Sequence, residues 1–146
     1  RNTARIRRPA LNASEFYMKV TTLIARTLLG LIFFIFGLNG FLHFIPGAMP
    51  SGLAGQFIGV LFASHYAYLV FSIQLIAGGL LLIGRFVPLA LVLLGAEIAN
   101  ILMFHLTMNP AGIGPGLVAA ILWLAVAYES RPALKPLFAA RAGIHS

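Results

Sequence analysis

The sequence contains three long apolar stretches, and these constrain its fold more than any other feature. They cover residues 20–42, 66–84 and 86–108, and a shorter fourth stretch covers 115–130. A helix needs about 20 apolar residues to cross a bilayer. The chain is 60% hydrophobic and only 9% charged, whereas an ordinary soluble domain carries about 25% charged residues. We therefore expect an all-α integral membrane protein, built as one four-helix bundle in the lipid bilayer.

The distribution of positive charge predicts the orientation of the helices. Of the 10 Lys and Arg residues, all except Arg26 lie in the terminal segments or in the turn between the second and third stretches. The connections 43–65 and 109–114 contain no Lys or Arg. Because Lys and Arg concentrate on the cytoplasmic side of membrane helices, both termini are expected to be cytoplasmic. The predicted organisation is a basic tail at 1–19, a membrane domain at 20–130 and a second basic tail at 131–146.

Two further features concern the ends of the first helix. Its apolar stretch is too long for a signal peptide, so we expect a retained membrane helix. After it, the connection 43–65 begins with Pro and Gly residues and continues with the apolar segment 53–64. Irregular backbone cannot face lipid, so this segment is predicted to be a short helix at the outer face. Gly55 and Gly59 form a GxxxG pair, which is typical of close helix contact.

The composition excludes several classes of function. There is no cysteine, which removes disulfides, thiol redox chemistry, iron–sulfur clusters and thiolate zinc sites. The net charge of +7 is accounted for by the flanks of the membrane helices, so nucleic acid is not expected as a partner. The sequence shows no nucleophile–base pair, phosphate-binding loop or paired carboxylates. We therefore expect no catalytic residues, no metal and no intrinsic cofactor.

Three polar residues interrupt the apolar stretches: Arg26, Gln74 and Glu97. From the helical rise, Gln74 and Glu97 fall at nearly the same depth near the bilayer centre, and Arg26 lies about 7 Å toward the cytoplasm. A lone carboxylate there is costly, so Glu97 should be protonated and bonded to Gln74, paired with Arg26, or facing a hydrated cavity. Glu129 is the competing partner for Arg26. We predict a structural polar clamp between helices, with a proton or substrate relay as the alternative.

Helical periodicity separates the residues of the first helix into two faces. Arg26, Gly30 and Gly37 share one face, and Asn39 and His43 share another. Glycines allow helices to approach closely, so the face that carries Arg26 is expected to point into the bundle. Aromatic side chains such as Trp123 are expected to serve packing or the membrane-interface belt.

A second polar group, here called the outer patch, is predicted near the outer surface. Its members are Asn39, His43, His65, Asn100 and His105. Neutral imidazoles bind metals and form hydrogen bonds with carbonyl groups, so the patch suggests a metal, haem or quinone-headgroup site. Alternatively, these histidines bond only to backbone or water. Because no Asp is near and no two histidines are four residues apart, a quinone or other small ligand is favoured over a metal.

Three motifs resemble the DoxX family of small bacterial four-helix membrane proteins. They are GLNGFLHFIPGAMP at 37–50, GRFVPLALVLL at 84–94 and NILMFHL at 100–106. The resemblance covers most of residues 22–130, and Glu97 departs from the apolar residue or proline that is common at its position. It implies a bacterial inner-membrane protein whose relatives are linked to thiosulfate:quinone oxidoreductase and other membrane redox complexes.

This resemblance implies an accessory or assembly subunit of a larger membrane redox complex, in contact with other membrane subunits and with quinone or lipid. The alternative is a small proton-coupled permease or carrier that uses Arg26 and Glu97. A free-standing oxidoreductase is a third alternative, which the missing cysteines and cofactor motifs disfavour.

Overall fold

The computed structural model describes residues 12–139, and within this range all regular structure is helical. The α-helices are α1 (Ala13–Leu42), α2 (Gly52–Ala63), α3 (Tyr66–Ile83), α4 (Val87–Met108), α5 (Gly114–Glu129) and α6 (Arg131–Leu134). Single 3-10 turns cover Pro110–Gly112 and Lys135–Phe138. The all-α prediction is confirmed for these residues.

Three of these helices are long and apolar enough to cross a membrane: α1, α3 and α4. The helix α5 passes the same test only together with the segment Arg131–Phe138, and the pair, bent by 82° at the junction, is either a broken fourth span or a re-entrant loop. These lengths and compositions agree with the predicted membrane protein.

The helix α1 begins earlier than its apolar stretch predicts, at Ala13 instead of residue 20. A capping box explains the difference. The Asn12 side chain accepts a hydrogen bond from the Glu15 backbone N–H at 2.8 Å, and the Glu15 carboxylate accepts one from the Asn12 N–H at 3.4 Å. Such a cap satisfies N–H groups that a helix start leaves free. The rest of the predicted tails, 1–11 and 140–146, lies outside the described residues.

Four helices, α1, α3, α4 and α5, pack around a common core. Its largest fully buried side chains are Leu29, Leu81, Leu91, Leu94 and Val126. The tightest contact is between α1 and α3, where a Cβ atom on Gly37 would meet Leu75 N at 2.6 Å, and one on Gly78 would meet Phe34 N at 2.5 Å. The expectation that the glycine face of the first helix packs closely on another helix is confirmed.

The helix α2 forms where it was predicted and lies against α3 and α4. The interpretation of its GxxxG pair was wrong. A Cβ atom on Gly59 would meet nothing within 4 Å, and one on Gly55 would meet the Pro50 carbonyl of the preceding loop. Gly55 therefore lets the loop fold back on α2, and no other helix of residues 12–139 packs on this pair.

The two ends of the helix assembly differ in construction. The end at which α2 lies is here called the α2 end. At the opposite end, called the turn end, α3 and α4 are joined by a tight turn in which Gly84 has φ +68° and Phe86 has φ +53°. The helices α3 and α4 are therefore close together at the turn end, and α2 packs against both of them at the other end.

Candidate functional site

Two polar side chains, Gln74 and Glu97, are buried side by side near the middle of α3 and α4. Each is only 8% exposed, and they are the only buried polar or charged side chains of the described residues. Each lies about 14–15 Å from the turn end by the rise of its helix. Gln74 lies beside the Glu97 carboxyl, but no hydrogen bond of standard geometry joins the two side chains in residues 12–139. The two residues lie at the predicted common distance from the helix ends, and the predicted hydrogen bond between them stays a prediction.

Arg26 does not join this pair. Its guanidinium lies at the turn end, where a Cβ atom on Gly84 would meet Arg26 Nη1 at 2.8 Å. The Nε atom of Arg26 is enclosed and has no hydrogen-bond partner in the described residues. The last carbonyl groups of α3 lie at this end and carry the negative end of the helix dipole, which accounts for a cation there. The predicted clamp is thus divided into a Gln74–Glu97 pair and a separate cation.

His105 is fixed at the α2 end by the last turn of α4. Its Nδ1 lies 3.0 Å from the Asn109 backbone carbonyl, and its ring meets the Phe104 ring edge-to-face at 5.1 Å between centroids. Gly112 leaves room for it, because a Cβ atom there would meet His105 Cε1 at 2.7 Å. The imidazole is therefore held in one orientation by backbone and neighbouring rings.

Asn39 and His43 form the turn that ends α1. His43 has the left-handed conformation of a helix C-cap, and its N–H donates to the Asn39 carbonyl at 2.8 Å. The Asn39 side-chain oxygen accepts a hydrogen bond from the Ile45 N–H at 2.6 Å. Both polar residues therefore have a structural role, which positions their side chains at the α2 end.

The other two residues of the outer patch, His65 and Asn100, do not line the cavity that Asn39, His43 and His105 share. His65 is exposed in the turn between α2 and α3, has φ +62°, and contacts the Tyr68 ring. Asn100 is exposed on α4, and its side-chain N–H donates to the Ala96 carbonyl at 3.0 Å. The predicted patch is therefore divided, with Asn39, His43 and His105 in one place.

Those three residues line a cavity at the α2 end, here called the interior cavity. It has a volume of about 550 Å3, and α1 to α5 all contribute to its walls. Its lining is mostly apolar: Ile32, Phe33, Phe36, Asn39, Gly40, His43, Ile58, Phe62, Phe71, Gln74, Ile101, His105, Gly112, Pro115, Gly116 and Ala119. The helix α2 contributes Ile58 and Phe62 to its walls, and the cavity is partly open to the surface.

A second cavity of about 480 Å3, here called the groove, lies between α2, α3 and α4. Its polar lining residues are Tyr66, Gln74, Glu97, Asn100, His105 and Thr107. It adjoins the interior cavity, since six residues line both: Ile58, Phe62, Phe71, Gln74, Ile101 and His105. Gln74 and His105 were predicted to belong to separate sites. In the fold, both lie in the wall that the two cavities share.

One polar contact between α4 and α5 was not predicted from the sequence. The indole N–H of Trp123 on α5 donates to the Leu91 carbonyl of α4 at 2.8 Å. Gly95 permits the close approach, because a Cβ atom there would meet the Trp123 ring at 3.0 Å. A single glycine near the middle of an apolar helix was the only sequence signal for this contact.

Within residues 12–139, no group of three or more His, Cys, Asp or Glu side chains could hold a metal ion. The cavities therefore present separate polar groups on apolar walls. Such an arrangement suits hydrogen bonding to an organic ligand.

No family model matches the chain, and no curated protein or solved structure is similar enough to match it. The resemblance of the three sequence motifs to the DoxX family therefore stays a prediction.

Proposed function

We propose that the chain is a DoxX-like four-helix protein of the bacterial inner membrane, with both termini cytoplasmic. In this proposal it binds a lipophilic ring compound, such as a quinone, in the interior cavity. It serves as an accessory subunit of a larger membrane redox complex. The observation that carries the proposal is the interior cavity, whose apolar walls bear a few fixed polar groups.

The size and lining of the interior cavity support a small-molecule site. Ligand sites are commonly clefts of about 300–1,000 Å3 with apolar walls and a small number of oriented polar groups. The cavity of about 550 Å3 falls in this range, and its polar side chains are Asn39, His43, Gln74 and His105. A ring with one or two oxygen substituents fits this chemistry.

The groove supports access from the lipid. Its lining includes side chains that are largely exposed on the outer surface of the helices, such as Leu69 at 53% and Met103 at 61%. In a bilayer these surfaces face hydrocarbon, so a lipophilic molecule can reach the groove without crossing water. The groove ends at the wall that it shares with the interior cavity, which includes Phe71, Ile101 and His105.

The chemistry of the lining is compatible with an accessory role. His105, Gln74 and Glu97 can form hydrogen bonds, and His105 and Glu97 can exchange protons, but none of them supplies electrons at a quinone. Electrons would come from another subunit of the complex. The chain would then hold or deliver the ring compound.

A proton-coupled permease is the second candidate function. It is favoured by the burial of Glu97 beside a groove that reaches the surface. It is disfavoured by the position of Arg26, which lies against Gly84 instead of Glu97.

The test is purification of the full chain in mild detergent, followed by mass spectrometry of bound lipophilic molecules and co-purifying proteins. Ala119 is 3% exposed and lines the interior cavity, so Ala119→Phe should fill it. Ala125→Phe is the control, because Ala125 is exposed on the same helix. We expect a ring compound in the wild type and in the control, and its loss in Ala119→Phe. Phospholipid alone in all three would contradict ligand binding, and a clean monomer or homodimer without partners would contradict the accessory role.

A further inference from the structure

We propose that the interior cavity selects ligands whose polar head carries a hydroxyl hydrogen, as a phenol or quinol does, over ligands that carry only carbonyl or ether oxygens. This inference rests on the proposed ligand site and specifies its chemistry. It follows from two side chains whose hydrogen-bonding roles are fixed by the backbone, His105 and Asn39.

His105 presents an acceptor. Its Nδ1 lies 3.0 Å from the Asn109 carbonyl, and a carbonyl oxygen can only accept, so the proton of this bond is on Nδ1. A neutral imidazole has one N–H, which makes Nε2 the acceptor. Nε2 has no hydrogen-bond partner in residues 12–139 and is not enclosed as Arg26 Nε is. The Nδ1 and Cε1 atoms of the ring face Asn109 and Gly112, and His105 lines both cavities.

Asn39 presents a donor. Its Oδ1 accepts from the Ile45 N–H at 2.6 Å, and a backbone N–H can only donate. The orientation of the amide is thereby set, and its other atom, Nδ2, carries two N–H groups. Nδ2 likewise has no hydrogen-bond partner and is not enclosed within the described part of the chain. Asn39 lines the same cavity as His105.

Of the four polar side chains that line this cavity, Asn39 and His105 are the two that are oriented by a backbone hydrogen bond, and they offer one fixed donor and one fixed acceptor. A hydroxyl group can donate to His105 Nε2 and accept from Asn39 Nδ2. A carbonyl or ether oxygen can only accept from Asn39, and its arrival displaces water from His105 Nε2 without replacing the hydrogen bond. An acceptor that is buried without a partner weakens binding, by about tenfold for a single neutral group. The cavity should thus bind a quinol more tightly than a quinone that carries the same apolar tail.

The test compares two redox-inert probes that share an apolar tail, 4-nonylphenol and 4-nonylanisole. The full chain in lipid nanodiscs is titrated with radiolabelled 4-nonylphenol, and 4-nonylanisole is the competitor, so that only saturable binding is counted. We expect the phenol to bind about tenfold more tightly than the anisole. In His105→Phe the ratio should fall toward one, and in the exposed control His65→Phe it should stay at the wild-type value.

The outcomes separate the two proposals. Equal affinity for both probes in the wild type, with both lost in Ala119→Phe, would overturn the hydroxyl preference and leave the ligand site intact. Absence of saturable binding, or saturable binding that Ala119→Phe does not change, would overturn the ligand site itself. An unchanged ratio in a folded His105→Phe would also overturn the inference. The ratio of the phenol and anisole affinities in the wild type tests the hydroxyl preference even if His105→Phe does not fold.

Discussion

Gly37 of α1 lies directly against the backbone of Leu75 on α3, so close that a Cβ atom would stand 2.6 Å from Leu75 N. The neighbouring α3 residues Phe71 and Gln74 line the interior cavity. The spacing between α1 and α3 therefore sets the position of one cavity wall. A packing contact between two helices and the proposed ligand site depend on the same glycine.

Gly37→Ala should destabilise the protein by about 2 kcal/mol, the usual cost of inserting a methylene into a close-packed contact. The helices would have to separate, because the atoms in the way are backbone. Gly59→Ala is the matched control, since nothing lies within 4 Å of its Cβ position and alanine favours a helix interior. Thermal unfolding in detergent measures both, and equal stability of the two variants would contradict the packing account.

Arg26 and Glu97 should behave as independent residues. Arg26 lies at Gly84, whereas Glu97 is about 15 Å along α4 from the turn end. The stability changes of Arg26→Met and Glu97→Gln should therefore add to within about 0.5 kcal/mol in the double variant. A double-mutant cycle in detergent measures this, and a coupling above about 1 kcal/mol would indicate the Arg26–Glu97 ion pair that was an alternative in the sequence analysis.

The stability changes caused by substituting Gln74 and Glu97 should not add, unlike those of Arg26 and Glu97. Gln74→Leu removes the polar side chain that interacts with the buried Glu97 carboxyl and should cost about 1–3 kcal/mol. Replacing both residues with leucine removes both polar groups and should recover most of that loss. Thermal unfolding of the single and double variants measures this recovery of stability. A double variant less stable than Gln74→Leu alone would show that Glu97 has another partner.

The Trp123 hydrogen bond should contribute measurably to the contact between α4 and α5. Trp123→Phe retains an aromatic ring but removes the donor to the Leu91 carbonyl, and we expect a loss of about 1 kcal/mol in addition to the smaller ring's lost packing. Tyr66→Phe is the control for loss of a polar group, because Tyr66 is 56% exposed. If the two variants unfold at the same temperature, the indole N–H has no stabilising role.

Helix positions could be predicted from the sequence because lipid-facing helices must be long and apolar. The start of α3 at Tyr66 and the end of α4 at Met108 agree with the predicted stretches. The start of α1 could not be placed in this way, since hydropathy ignores a polar cap. Asn12 and Glu15 begin the helix through local hydrogen bonds, which extend it into polar sequence.

The candidate site was predicted only in part. Gln74 and Glu97 were placed together because helical rise fixes depth. Depth alone could not show that Arg26 would lie at Gly84 or that His65 would be left outside the cavities, because both depend on how helices rotate and pack. The interior cavity takes part of its wall from Ile58 and Phe62 of α2, a tertiary relationship that no local pattern encodes.

The central claim, that the interior cavity holds a lipophilic ring compound, is tested most directly by photolabelling. The full chain in nanodiscs is irradiated with an alkylphenol that carries a diazirine on its ring, and the labelled residues are identified by mass spectrometry. We predict label on cavity residues such as Phe71, Ile101 and His105, and its loss with excess unlabelled 4-nonylphenol or in Ala119→Phe. Label confined to outward-facing residues such as Ile121 and Leu124, which are 66% and 60% exposed, and unchanged by competitor would contradict the claim.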